Sequence, residues 1–100
     1  MTTITIKLAP TEARRDIYSS DDMTSLVKEM FASYEICESF TVTEEGLDAA
    51  EEAFDVTNNP GRQAEREVVY GRGRSVCVGD VVEVDGIDYL CSSFGWDVIA

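Results

Sequence analysis

Apolar and polar residues alternate at the start of the chain. Ile4, Ile6 and Leu8 interleave with Thr3, Thr5 and Lys7, which gives one oily and one wet face and predicts a strand that Pro10 ends. Glu12 to Asp16 predicts only a short helical turn. From Met23 the period changes. Met23, Leu26, Val27, Met30, Phe31 and Tyr34 recur at helical spacing and predict one helix over about 22–34, capped by Ser20, Asp21 and Asp22. Such a stripe can be core or partner-binding face; in a domain this small, core packing against a sheet is the expectation.

Ile36, Phe40 and Val42 predict a second strand. A second helix is expected from Glu44 to about Val56, capped by Thr43, with Leu47, Ala50 and Phe54 on its narrow apolar side. Asn58-Asn59-Pro60-Gly61 punctuates its end, and 62–74 reads as a linker. Val76 and Val78 predict a short strand, with a turn or bulge at Gly79-Asp80. Val81 to Val84 predict another strand, and Asp85-Gly86 suits a two-residue type I′ hairpin turn. That turn pairs Val84 with Ile87, Glu83 with Asp88 and Val82 with Tyr89. Val82, Val84, Ile87, Tyr89 and Cys91 then share a face expected to be buried, and the opposed charges of Glu83 and Asp88 call for solvent. A last strand is expected from Trp96 to Ile99. The predicted class is α+β: two helices on one face of a mostly antiparallel sheet, built from the N-terminal strand and a C-terminal β-meander.

Composition narrows the picture. One hundred residues suit a single domain, and 44% hydrophobic residues suit a folded one. No apolar run reaches the roughly 18 residues needed to cross a bilayer, and Met1-Thr2-Thr3-Ile4 lacks the basic start of a secretion signal. A soluble, cytoplasmic protein is therefore expected, with no membrane partner. Histidine is absent, which excludes His-based metal sites, Ser-His and Cys-His catalysis and histidine pH switching. Cys37, Cys77 and Cys91 form no CxxC pair. Cys77 and Cys91 are expected in strands as small apolar filler. Cys91-Ser92-Ser93-Phe94-Gly95 lacks the glycine of a nucleophile elbow, and Gly71-Arg72-Gly73 lacks the rest of a phosphate loop. These readings predict no cofactor, no metal and no catalytic residues.

Charge is the strongest compositional signal: 20 acidic against 8 basic residues, net −12. General surface acidity, of the kind seen in proteins adapted to high salt, is the expected reading. Mimicry of a nucleic-acid backbone is the sharper one. Eight acidic residues and no basic one lie between Glu35 and Asp55. Then the sign reverses at Arg62, Arg66, Arg72 and Arg74, where Tyr70-Gly71-Arg72-Gly73-Arg74 resembles a small arginine-glycine nucleic-acid contact. The expectation for this stretch is a loop whose arginines pair with the acidic body.

Two blocks, Gly73-Arg74-Ser75-Val76-Cys77-Val78-Gly79-Asp80-Val81-Val82 and Tyr89-Leu90-Cys91-Ser92-Ser93-Phe94-Gly95-Trp96, resemble the YodL-like family of small domains, as does the Asn58-Asn59-Pro60 lead-in. The family pattern is roughly G-x-S-L-S-V-G-D-V-V, then a short turn, then Y-x-x-D-S-x-G-F/W. This chain departs from it at Cys77, where serine is usual, and at Ser92, where aspartate is common. The resemblance implies a setting in plasmids, phages and conjugative elements, with some members countering host defences, and brings no catalytic residues. Taken with the residues, it predicts a non-enzymatic accessory protein of a mobile element or virus that binds a host or viral protein. Arg72, Arg74, Phe94, Trp96, Glu44, Asp48, Glu51, Glu52 and Asp55 are the expected contacts. The alternatives are a nucleic-acid-associated regulator using 62–74 and, third, a small enzyme with carboxylate chemistry.

Overall fold

A computed structural model describes residues 1–71, 73–93 and 95–99. Its fold is α+β, as the patterning predicts. Strands β1 (Thr2–Leu8), β2 (Glu35–Val42), β3 (Val81–Val84), β4 (Ile87–Ser92) and β5 (Gly95–Val98) form one antiparallel sheet in the order β2-β1-β3-β4-β5. The N-terminal strand lies inside the sheet, between β2 and β3, with Ile4 opposite Phe40 on one side and Val84 on the other. The meander has the expected register: Val82 faces Tyr89, Glu83 faces Asp88 and Val84 faces Ile87. Asp85 (φ 46°) and Gly86 (φ 89°) are both left-handed, as a type I′ turn demands. Asp85 also ties the turn to β1, its Oδ1 accepting from Thr3 N at 2.9 Å and its own N donating to Thr3 O at 3.0 Å.

The helices do not share one face of the sheet, contrary to the sequence reading. On one side, α3 (Gly46–Asn58) lies over Ile4, Ile6, Leu8, Phe40, Val42, Val82, Val84, Tyr89 and Cys91. On the other, α1 (Arg14–Ser19) and α2 (Met23–Met30) bury Ile17 and Val27 against Val81, Leu90, Tyr34 and Ile99. The reason lies in β3 and β4. Both parities of Val81-Val82 and of Tyr89-Leu90-Cys91 are apolar, and a strand with two apolar faces needs cover on both. The Met/Phe stripe is core, as expected, although the helix stops at Met30 and Phe31–Ser33 tightens into a 3-10 turn. Asp22 is the cap, accepting from Ser25 N at 3.2 Å.

Other local expectations shift. The N-terminal helix is longer than one turn: a 3-10 turn, Thr11–Ala13, runs into α1. The second predicted helix is displaced by two residues, with Glu45 rather than Thr43 at its N-cap position. Its buried side is Ala49, Ala50, Ala53, Val56 and Thr57, so Leu47 is 53% exposed and Phe54 only half-buried. Three alanines let the helix backbone approach the sheet closely. No strand forms at Val76 and Val78; Val76 is buried in a loop, its N donating to Thr57 Oγ1 at 3.2 Å. Ile87 is 44% exposed, because α3 does not reach the tip of the hairpin side of β4.

Residues 62–74 are not simply a linker. Pro60–Arg62 form a 3-10 turn and Gln63–Val69 form α4. Asn59 caps this unit, its Oδ1 accepting from Gly61 N at 2.9 Å, with Pro60 preset at the first helical position. No apolar stripe announces α4: Val68 is exposed and only Val69 and Tyr70 turn inward. Charge holds it instead.

Candidate functional site

The outer face of α3 is rich in carboxylates. Asp48, Glu51 and Asp55 are exposed, while Glu52 and Glu44, the latter just ahead of the helix, are half-buried. Arg62 gathers part of this charge. Its guanidinium donates to Glu52 at 2.6 and 2.8 Å, to Asp55 at 2.8 Å and to Glu65 at 2.5 and 3.0 Å. It thereby clamps α4 against α3, and its hydrogen bonds hold the Glu65 carboxyl below its ordinary range. A groove of about 210 Å³ runs between this pair of helices and β2. Phe40, Val42, Val56 and Val69 line it together with Glu44, Glu52 and Glu65.

Trp96 is half-buried rather than a free anchor. Its ring meets Phe54 edge-on, centroids 6.3 Å apart, and its Nε1 donates to Glu51 Oε1 at 2.8 Å. Thus Trp96, Glu51 and Phe54 join β5 to α3 on the flank opposite Arg62, and Glu51, Glu52 and Asp55 are brought onto one helix. Arg74 lies elsewhere. It makes a two-pronged pair with Asp80, Nη1 to Oδ2 at 2.5 Å and Nη2 to Oδ1 at 2.7 Å, in the loop that leads into β3. Arg72 and Phe94, both expected contacts, lie outside the described residues.

Asp80 is the hub of that loop, with its side chain 1% exposed. Besides Arg74 it accepts from Ala9 N and from Cys77 N, each at 2.8 Å, so one carboxylate ties β1, the loop and β3. Arg74 also donates to Ala9 O at 3.0 Å. Tyr34 OH donates to the adjoining Gly79 carbonyl at 2.5 Å, and burial pushes that phenol well above its ordinary 10.0. Arg66 is likewise turned inward, donating to the carbonyls of Thr57, Gly71 and Gly73. On the second sheet face, Lys7 Nζ sits between Glu83 at 2.8 Å and Asp88 at 2.9 Å, beneath the Phe31 ring. The opposed carboxylates therefore share a half-buried cation, not solvent as the sequence reading required; β1 beside β3 supplies it.

The basic residues described in the structure mostly serve the inside of the fold, and the carboxylates serve its outside. Lys7, Arg62 and Arg74 are in ion pairs, and Arg14 and Arg66 are hydrogen-bonded within the chain. Composition alone could not reveal this, because which carboxylates are matched depends on where the fold brings each side chain. No helix among the described residues is long and apolar enough to cross a membrane, and no group of three or more His, Cys, Asp or Glu is placed to hold a metal ion.

Cys77 departs from its expected role as strand filler. It is half-buried in the loop, and its sulfur accepts from Arg14 Nη2 at 2.9 Å and Arg74 Nη1 at 3.3 Å. Cys91 is buried in the core as expected, and burial pushes its thiol up to about 12. Cys37 is half-buried, also raised by burial.

Neither a protein-family model, nor a curated protein, nor a solved structure matches the chain.

Proposed function

We propose that this chain is a non-enzymatic accessory protein that acts by binding a positively charged protein surface through α3 and the groove beside β2. The partition of charge carries the reading. Asp48, Glu51 and Asp55 project from one helix, and Arg62, which pairs with Asp55, offsets only part of the charge of the eight acidic residues between Glu35 and Asp55. The groove adds an apolar floor with Glu44 at its rim, beside the Glu52 and Glu65 that Arg62 already holds, a setting in which the stem of a lysine or arginine can pack while its head reaches Glu44. Complementary charge speeds encounter and selects partners.

The nucleic-acid alternative draws less support. It needs the arginines of 62–74 facing outward, whereas Arg62, Arg66 and Arg74 are engaged by Glu52, Asp55, Glu65, backbone carbonyls and Asp80. The setting in a mobile element or virus, and action against a host defence system, rest on the resemblance of 73–82 and 89–96 alone.

The test is affinity capture from a host lysate with the wild-type chain and with the triple variant Asp48→Asn, Glu51→Gln, Asp55→Asn. The reading expects a defined protein held by the wild type, released by salt and absent from the variant. Identical capture by both would remove the acidic face from consideration. Salt-sensitive DNA or RNA binding lost on replacing Arg72 and Arg74 would favour the nucleic-acid alternative.

A further inference from the structure

Away from α3, the loop that precedes β3 meets α1 at Cys77. Four polar groups surround the Cys77 sulfur. Arg14 Nη2 is at 2.9 Å, Arg74 Nη1 at 3.3 Å, Asp80 Oδ2 at 3.3 Å and Tyr18 OH at 3.5 Å. The sulfur borders a hollow of about 300 Å³ lined by Tyr18, Cys77, Val78 and Ser93, open to solvent and large enough for a small reactant. Ser93 is exposed on its rim.

The two guanidiniums differ. The charge of Arg74 is matched by Asp80. Arg14 forms no ion pair among the described residues; it donates to Tyr18 OH at 2.6 Å and to the sulfur, and its Nε is buried without a partner. An unmatched cation is therefore aimed at a thiol beside an accessible hollow. Structural cysteines are inert in apolar surroundings, and reactive ones sit in electropositive, partly exposed ones. Cys91 belongs to the first kind. Cys77 has the surroundings of the second.

The geometry points to Cys77 as a peroxide-reactive thiol, oxidised to a sulfenic acid by a small hydroperoxide that enters the hollow. In the step, Sγ attacks one peroxide oxygen. The S–O bond forms as the O–O bond breaks, the thiol proton ends on the departing oxygen, and water leaves when the oxidant is hydrogen peroxide. Sulfur is oxidised and the peroxide reduced. Arg14, donating along the edge of the sulfur, stabilises the charge that develops on sulfur and on the leaving oxygen.

The fully reduced chain supplies its own controls. It is exposed to hydrogen peroxide with dimedone present, and adducts are located by peptide mass spectrometry. Cys77 should carry the adduct at least about tenfold faster than Cys37 or Cys91, in line with thiol reactivity following charge and exposure. In Arg14→Gln the rate at Cys77 should fall about tenfold, the worth of one charge-assisted hydrogen bond, and Arg14→Lys should restore part of it. Circular dichroism confirms that each variant is folded. No adduct at Cys77 under peroxide that labels a free cysteine peptide overturns the assignment. So does equal labelling of all three cysteines in the folded wild type, and an unchanged rate in folded Arg14→Gln removes Arg14 from the role.

Discussion

Arg74 and Asp80 meet in a bidentate pair that closes the loop between α4 and β3, with Asp80 buried and Arg74 reaching it from the half-exposed side. The carboxylate also holds Ala9 N and Cys77 N, so both partners are committed to the fold. From sequence, the arginines of this loop are expected to pair with the acidic body and Arg74 also to contact a partner, but nothing there singles out the buried Asp80 as the residue that Arg74 pairs with.

Arg74→Met should therefore destabilise the protein by about 3 kcal/mol, because it strands a buried carboxylate. Asp48→Asn, on the open face of α3, should stay within about 0.5 kcal/mol of wild type. Urea unfolding compares the two. Equal midpoints for Arg74→Met and wild type would show that the pair contributes nothing.

Lys7 has an alkaline signature. Burial works against its charge, but the hydrogen bonds it donates to Glu83 and Asp88 prevail and hold it above its ordinary 10.5. A raised value means the stabilisation is complete below 10.5 and fades as pH climbs through the higher folded value. Lys7→Met should cost about 2 kcal/mol near pH 7, since Glu83 and Asp88 then face each other without a cation. It should also flatten the loss of stability above pH 10.5. Thermal melts across pH 7 to 11.5 test both parts, and the wild type and variant losing stability in parallel would remove Lys7 as the cause.

Gly79 takes φ +96°, and a Cβ there would come within 2.8 Å of Ile17 Cγ2 in the second core. Gly79→Ala combines left-handed strain with a clash against a buried side chain. About 2 kcal/mol of destabilisation is expected. Gly86, in the turn at the far end of β3, has open space around its Cβ position, so Gly86→Ala should cost only the strain, about 1 kcal/mol. Chemical denaturation of the pair separates strain from clash.

The acidic surface should respond to salt. Like charges at Asp48–Glu52 and Glu51–Asp55 lie four residues apart on α3, each pair costing a few tenths of a kcal/mol. Between about 0.01 M and 1 M salt the screening length falls from about 30 Å to about 3 Å. The melting temperature should rise over that range, and less so in the Asp48→Asn, Glu51→Gln, Asp55→Asn variant. A flat melting temperature in wild type would count against both the repulsion and the high-salt reading.

Much of the fold was legible because strand and turn signals are local. Alternation at Ile4, Ile6 and Leu8 marks β1, and Asp85-Gly86 dictates a backbone with two left-handed residues, which fixes the register of β3 on β4. The helical stripe from Met23 is likewise local, since 3.6-residue periodicity needs no knowledge of what it packs against. What escaped was everything settled by a partner distant in the chain. That α2 and α3 cover opposite faces follows from both sides of Val81-Val82 and Tyr89-Leu90-Cys91 being apolar, but only the assembled sheet assigns each side a helix. Helix α4 has no stripe to announce it and depends on Arg62 bridging to Glu52 and Asp55. Lys7 between two carboxylates, Arg74 on Asp80 and Arg14 on Cys77 span 63 to 81 positions in two of the three cases. The charges and the thiols are present in the sequence; which are matched, which stay open to solvent and which sulfur faces a cation are decided by distance in space, because electrostatic and hydrogen-bond energies depend on it and chain separation does not.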